Sequence, residues 1–271
     1  MTNPLVQSRD QFSAQNLEQR QVINGRDWGV LQIGDTGPAL VLMPGTLGRA
    51  DIFWNQIEAL GGRVRILALS YPEQGGIEDW CTDIAELMRM RGFDSATILG
   101  SSLGGYVAQY FAATYPELTD NLVAANTLPS VAFLSEVPPY SNDIANMARA
   151  ELIQGFSDGL TKWAVDEPHR RDLVELLLME VFGRIPDGEM RARLLALKEG
   201  PELPPVTLDK SRIFTVESLD DRLIPEAVRD GVRARLAPVR CEKFTHGSHF
   251  PYITEPAAYT AMLVEILRLE T

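Results

Sequence analysis

The sequence has 271 residues, 45% of them hydrophobic, enough to bury roughly three quarters of the unfolded surface in one core, so one domain spanning residues 1–271 is expected. A formal net charge of -12 with no Lys/Arg cluster to reverse it locally excludes nucleic acid as a partner. Two cysteines make no disulfide framework or metal-binding spacing, no apolar run approaches the ~20 residues that span a bilayer, and residues 1–15 lack a secretion-signal pattern; a reducing cytoplasm, without metal or stable membrane insertion, is the expected setting.

Strands and helices alternate along most of the chain, the pattern of βαβ units and of a mostly parallel sheet covered on both faces. Residues 39–43 (ALVLM) are a continuous apolar run, as expected of a strand buried on both sides, and PGTLG follows as a turn. A helix is expected over 50–60 and a strand over 64–69 (VRILAL). Between 77 and 91, Ile77, Trp80, Cys81, Ile84, Leu87 and Met88 recur at helical spacing, which assigns Asp79, Asp83, Glu86 and Arg89 to the solvent face. Cys81 and Cys241 read as small buried apolar residues.

A strand at 95–99 (SATIL) runs into Gly100-Ser101-Ser102-Leu103-Gly104, and a helix over 106–115 stops at Pro116. The pentapeptide alone serves equally well as an ordinary Gly/Ser turn. Between a strand and a helix, however, G-x-S-x-G describes a turn so tight that the serine is strained, with glycines on either side letting the backbone pass. Their symmetric spacing favours Ser102 over Ser101 as nucleophile. Free N–H groups at the helix start favour a developing oxyanion, which makes the Leu103 amide one donor. The second donor is expected from the turn after ALVLM, at the Thr46 amide, with Leu47 as the alternative.

After a strand at 121–126 (NLVAAN) the alternation stops. From about 130 to 205 only helical segments are visible, notably 172–182 and 189–198, between the proline-containing stretches VPPY and PELPP. This reads as an insertion over the carboxyl ends of the strands, where open α/β sheets bind ligands, and so as a lid on a core of residues 1–129 and 206–271. Phe133, Leu134, Tyr140, Phe156, Trp163, Leu177, Met179 and Phe182 offer it an apolar lining, although packing onto the core accounts for most of them. His169, in DEPHRRD, reads as a solvated residue of this insertion.

The alternation resumes with a strand at 212–216 (RIFTV), a helix over 225–236 with proline in its first turn, a strand at 239–244 and a helix over 256–269. A serine hydroxyl needs an adjacent base. His246 and His249 both lie in THGSHFP, between the last strand and the last helix; His249 is preferred and His246 is second. The base in turn needs a carboxylate to fix its tautomer, and Asp220 and Asp221 follow RIFTV. An acidic pair there also suits the start of the next helix, so the residues leave open which of the two serves the histidine.

With these residues in hand, the chain resembles the α/β-hydrolase superfamily over about 28–269. Within it, PGTLGRADIFWNQIEAL, LALSYP, GSSLGGYVAQYFA and HFPY look like maspardin and its bacterial relatives. The hydrolase resemblance implies a triad of Ser102, Asp221 and His249, because a proline commonly stands four residues after the acid, as Pro225 does after Asp221. The chain departs from the pattern with Ser218 where many members carry glycine, and with Pro44 where histidine is frequent. Motifs and resemblance together imply an α/β-hydrolase fold and a serine hydrolase that cleaves a carboxylic ester of a medium-sized, apolar small molecule through an acyl-enzyme, without cofactor. A lactone, thioester or carbon–carbon bond is the alternative target, and a non-enzymatic binding protein, as maspardin is regarded, is the reading from another class. Epoxide-hydrolase or dehalogenase chemistry needs aspartate at the elbow, which Ser102 excludes. A homodimer is among the assemblies compatible with this reading.

Overall fold

A computed structural model describes residues 2–132 and 134–270, so Phe133 lies outside the described residues. The strands in chain order are β1 (Gln19–Ile23), β2 (Arg26–Ile33), β3 (Ala39–Met43), β4 (Arg65–Ser70), β5 (Ala96–Ser101), β6 (Thr119–Ala125), β7 (Ile213–Ser218) and β8 (Arg240–Phe244). They form one eight-stranded sheet in the order β1-β2-β4-β3-β5-β6-β7-β8. β1 with β2 and β2 with β4 are antiparallel; every other pairing is parallel. The apolar runs take the centre, where β3 and β5 are buried at every position. Charged Arg240, Glu242 and Lys243 occupy the β8 edge, where they discourage pairing with another chain.

The helices are α1 (Pro4–Gln15), α2 (Trp54–Leu60), α3 (Ile77–Met90), α4 (Leu103–Thr114), α5 (Arg149–Asp166), α6 (Arg171–Met179), α7 (Asp187–Lys198), α8 (Glu226–Leu236), the single turn α9 (Pro251–Thr254) and α10 (Pro256–Ile266). Side chains alternate across each strand, so the sheet feeds two cores. Val41 and Met43 pack with α3, α4 and α8 on one face, and Leu40 and Leu42 with α2 and α10 on the other. This is the expected α/β-hydrolase class, a mostly parallel sheet with helices on both faces. No described helix is long and apolar enough to cross a membrane.

Several features differ from the sequence reading. The helix expected from 106 begins at Leu103, because Gly104 and Gly105 are helical residues rather than turn residues. Asp83 is fully buried instead of solvent-facing. Its carboxylate accepts from Arg26 (Nε 2.6 Å, Nη2 2.8 Å), Trp28 Nε1 (2.9 Å) and Asn24 Nδ2 (2.8 Å), all from the β1–β2 hairpin that packs on α3. That hairpin, absent from the sequence reading, supplies the partners that make the buried charge tolerable. Of the cysteines, Cys81 is buried and Cys241 only half-buried.

No strand occurs among the described residues of 130–205. Leu134 and Leu177 are buried there, whereas Met179 and Phe182 are 40% and 54% exposed. α1, also unanticipated, packs against α6 and joins this segment to the sheet domain through a buried ionic cluster. Arg9 donates to Glu180, and Arg184 donates to Glu180 (2.7 Å) and to Asp51 of the 3-10 turn Ala50–Phe53, with the Arg9 and Glu180 side chains both wholly excluded from solvent.

Candidate active site

The strand β5 ends at Ser101, and Ser102 sits at φ 56°, ψ -117°, a left-handed backbone that costs a β-carbon-bearing residue on the order of 1–3 kcal/mol. The surroundings dictate it. A β-carbon on Gly100 would lie 1.8 Å from the Gly104 carbonyl oxygen, and one on Gly104 would lie 2.1 Å from that of Met43. Only two glycines let β3, β5 and α4 meet here, and the tight turn they permit leaves Ser102 half-buried while Ser101 is buried. The Ser102 N–H donates to Ala125 O (2.9 Å), and its carbonyl accepts from Thr127 Oγ1 (2.7 Å), which pins the elbow to the end of β6.

Of the two histidines, His246 is exposed and His249 is buried with Nδ1 2.8 Å from Asp221 Oδ2. The acidic pair divides. Asp221 Oδ1 accepts from the N–H groups of Leu223 (2.9 Å) and Ile224 (3.0 Å), whereas Asp220 accepts from Ser248 N–H (2.8 Å) and from Arg170 Nη2 (2.8 Å). Burial pushes the Asp221 carboxyl up, but the neighbouring His249 charge and the hydrogen bonds from His249, Asn126 and Ile224 outweigh it and hold the group below the ordinary aspartate range. No hydrogen bond joins His249 to Ser102 Oγ among the described residues; such contacts are often long in ligand-free enzymes and tighten with substrate. His169 is exposed, as expected of it.

The PGTLG turn lies against the elbow, since a β-carbon on Gly45 would stand 3.1 Å from Ser102 Cβ. The Thr46 and Leu47 amides donate to no described protein acceptor, and Leu103, as first residue of α4, has no intrahelical acceptor for its own. The departures from the family pattern are also accommodated. Ser218 packs its hydroxyl under Gly247, where a β-carbon would come within 2.4 Å of it, and Pro44 offers its carbonyl to Tyr71 Oη at 3.0 Å.

Two residues that the sequence reading passed over brace the loops that carry Asp221 and His249. Asn126 directly follows β6 at φ 43° and donates from Nδ2 to Asp221 Oδ2 (3.0 Å). Its signal was an asparagine directly after an apolar strand, since asparagine tolerates the left-handed region better than most residues. Arg170, hidden in the polar run DEPHRRD, donates to Asp220 and to the His246 carbonyl (2.6 Å), fastening the helical segment to both loops. Because both bonds end on one guanidinium, Arg170→Met and Asp220→Asn are expected to be non-additive in a denaturation double-mutant cycle, coupled by about 1 kcal/mol; strictly additive losses would show that the contact carries no energy.

Neither of two surface grooves, about 660 Å³ beside β2 and about 170 Å³ between α3 and α7, is lined by Ser102, Asp221 or His249. The candidate site is thus defined by the loops that bring Ser102, Asp221 and His249 to the same strand ends. Maspardin from Danio rerio is 22% identical over 246 residues, covering 88% of this chain and 78% of that protein. The pimeloyl-(acyl-carrier protein) methyl ester esterase of Vibrio vulnificus is 26% identical over 243 residues, covering 84% and 93%. The solved enol-lactonase from Burkholderia xenovorans shares the fold, with a TM-score of 0.73 at 16% identity over 92% of this chain and all 100% of its own. Residues 40–262 match the Alpha/beta hydrolase family, a span that runs from β3 through the elbow and both loops into α10, and the chain belongs to that family.

Proposed function

We propose that this hydrolase-family chain is a serine hydrolase that cleaves a carboxylic ester through an acyl-enzyme. The observation that carries the reading is the buried 2.8 Å contact of His249 with Asp221, on loops that share the strand ends with the strained Ser102. Similarity to proteins named as a methyl ester esterase and an enol-lactonase favours ester-type bonds. In this mechanism Ser102 Oγ attacks the carbonyl carbon as His249 Nε2 takes its proton. The Thr46 and Leu103 amides hold the oxyanion, and Asp221 stabilises the imidazolium. His249 then returns the proton to the departing alcohol, and water repeats the sequence on the acyl group. Residues 130–205 act as a lid over a core of 1–129 and 206–271, admitting a medium-sized, apolar small molecule.

The test is a p-nitrophenyl ester chain-length series together with fluorophosphonate labelling of the wild-type protein, with Ser102→Ala as control. Turnover and labelling at Ser102 together are the expected result, and the preferred chain length sizes the pocket. Labelling without ester turnover moves the target to a lactone, thioester or carbon–carbon bond. A protein that neither labels nor turns over is a binding protein built on the same fold.

A further inference from the structure

The carbonyls of the turn that faces Ser102 are gripped from the far side. Arg193, on α7 and fully buried, donates from Nη1 to Thr46 O (2.9 Å) and Gly48 O (2.7 Å). Its guanidinium lies 5.4 Å over the Tyr71 ring, and Tyr71 Oη donates to Pro44 O. Three alternate carbonyls, of residues 44, 46 and 48, are thus held by one stacked pair. In a trans peptide the following N–H points opposite to its carbonyl, so this grip turns the Leu47 N–H, the turn's alternative oxyanion donor next to Thr46, off the clamp and without a described protein acceptor. Glu189 holds Arg193 in place through Nη2 (3.1 Å) and itself accepts from Arg49 (2.9 Å), the residue that follows Gly48. A buried guanidinium with this few options stays where its acceptors are, because any other position would strand the charge.

We infer that Arg193 is a positioning residue for the oxyanion-binding turn, so that α7 of the helical segment sets the geometry of transition-state stabilisation on a loop 145 or more residues away in sequence. The inference rests on the serine-hydrolase reading. It makes the segment a working part of the active site as well as its cover, because displacing α7 releases the turn that must meet the oxyanion. Arg193 itself touches no reacting atom.

The experiment compares Arg193→Met, which keeps length and apolar bulk, Arg193→Lys, and Tyr71→Phe, which keeps the ring and removes a single donor, in the full chain. For Arg193→Met, kcat on a p-nitrophenyl ester is expected to fall on the order of tenfold to a hundredfold with KM little changed, the cost of a slightly misplaced catalytic group. Affinity for phenylboronic acid, which becomes tetrahedral on a serine, should fall in parallel. Arg193→Lys, able to reach a carbonyl but not to span two, should recover part of the loss, and Tyr71→Phe should lose a few-fold. A folded Arg193→Met protein with wild-type kcat and boronate affinity overturns the inference, as does a loss confined to KM. If Arg193→Met does not fold, Tyr71→Phe decides on the same two readouts. Hydrogen exchange across residues 44–49 separates the two levels of the reading. Faster exchange in Arg193→Met upholds the clamp even should wild type prove catalytically silent, and unchanged exchange refutes it.

Discussion

Replacing Ser102 by alanine is expected to lower kcat/KM on a p-nitrophenyl ester by on the order of 10⁵- to 10⁶-fold and to abolish fluorophosphonate labelling, while the folded protein melts close to wild type. The magnitude follows from losing the only atom that can form the acyl bond, which the surrounding donors do not replace. The small change in melting follows because alanine keeps the β-carbon and hence the backbone strain at φ 56°. Ser102→Gly separates the two effects. Glycine occupies that region freely, so this variant should be as inactive as Ser102→Ala yet more stable than it by about 1 kcal/mol, the strain released less the added chain entropy. Equal stability of the two variants would mean that the elbow stores no strain. Retained labelling in either would place the nucleophile elsewhere and remove Ser102 from the mechanism.

The elbow was legible in the sequence because its requirement is local: glycines at fixed offsets between an apolar strand and a helix, each barred from bearing a side chain by a carbonyl within 2.1 Å of the missing carbon. The central strands were legible for a similar reason, since burial on both faces leaves only apolar residues. Asp83 was misread because its burial depends on Arg26, Trp28 and Asn24, which lie in another element. Yet Asn24-Gly25 stood in the sequence as a two-residue turn, with both residues at positive φ and Ile23 paired to Arg26, the strongest short-range mark of a hairpin. Asp220 and Asp221 were indistinguishable for a deeper reason. Adjacent residues point in different directions, and which one meets His249 is decided by where Arg170 and Asn126 arrive from distant segments. The arginines of 130–205 escaped notice because a charge in a polar run looks solvated until the partner that buries it is known.

Asp221→Asn should cost about 10⁴-fold in kcat/KM, and the hydrogen bonds explain why so small a change does so much. Oδ1 accepts two backbone N–H groups, from Leu223 and Ile224, so the asparagine oxygen is forced into that place and its NH2 into the place of Oδ2. There it faces the Nδ2 donor of Asn126 and Nδ1 of His249. His249 must then leave Nδ1 unprotonated and carry its proton on Nε2, the tautomer that cannot accept from Ser102. The clash with Asn126 removes its 3.0 Å bond and leaves Nδ2 only the longer contacts to Ser218 Oγ (3.3 Å) and Ser248 O (3.4 Å), a loss of about 1 kcal/mol of stability. Adding Asn126→Asp restores a donor–acceptor pair between the two positions, and so should recover melting temperature while leaving most of the activity lost, since the wrong tautomer remains. Recovery of both together would show that Asn126 and Asp221 are interchangeable anchors for the histidine. The pH dependence has a definite sign. The folded carboxyl titrates below its unfolded value of about 3.9, so its stabilising effect is complete above about pH 5 and is lost as pH falls through the folded value. The melting-temperature gap between wild type and Asp221→Asn should therefore narrow as pH falls below about 4. A gap that persists unchanged into that acid range would mean that the ionised carboxylate contributes nothing to the fold, and that its hydrogen bonds serve the histidine alone.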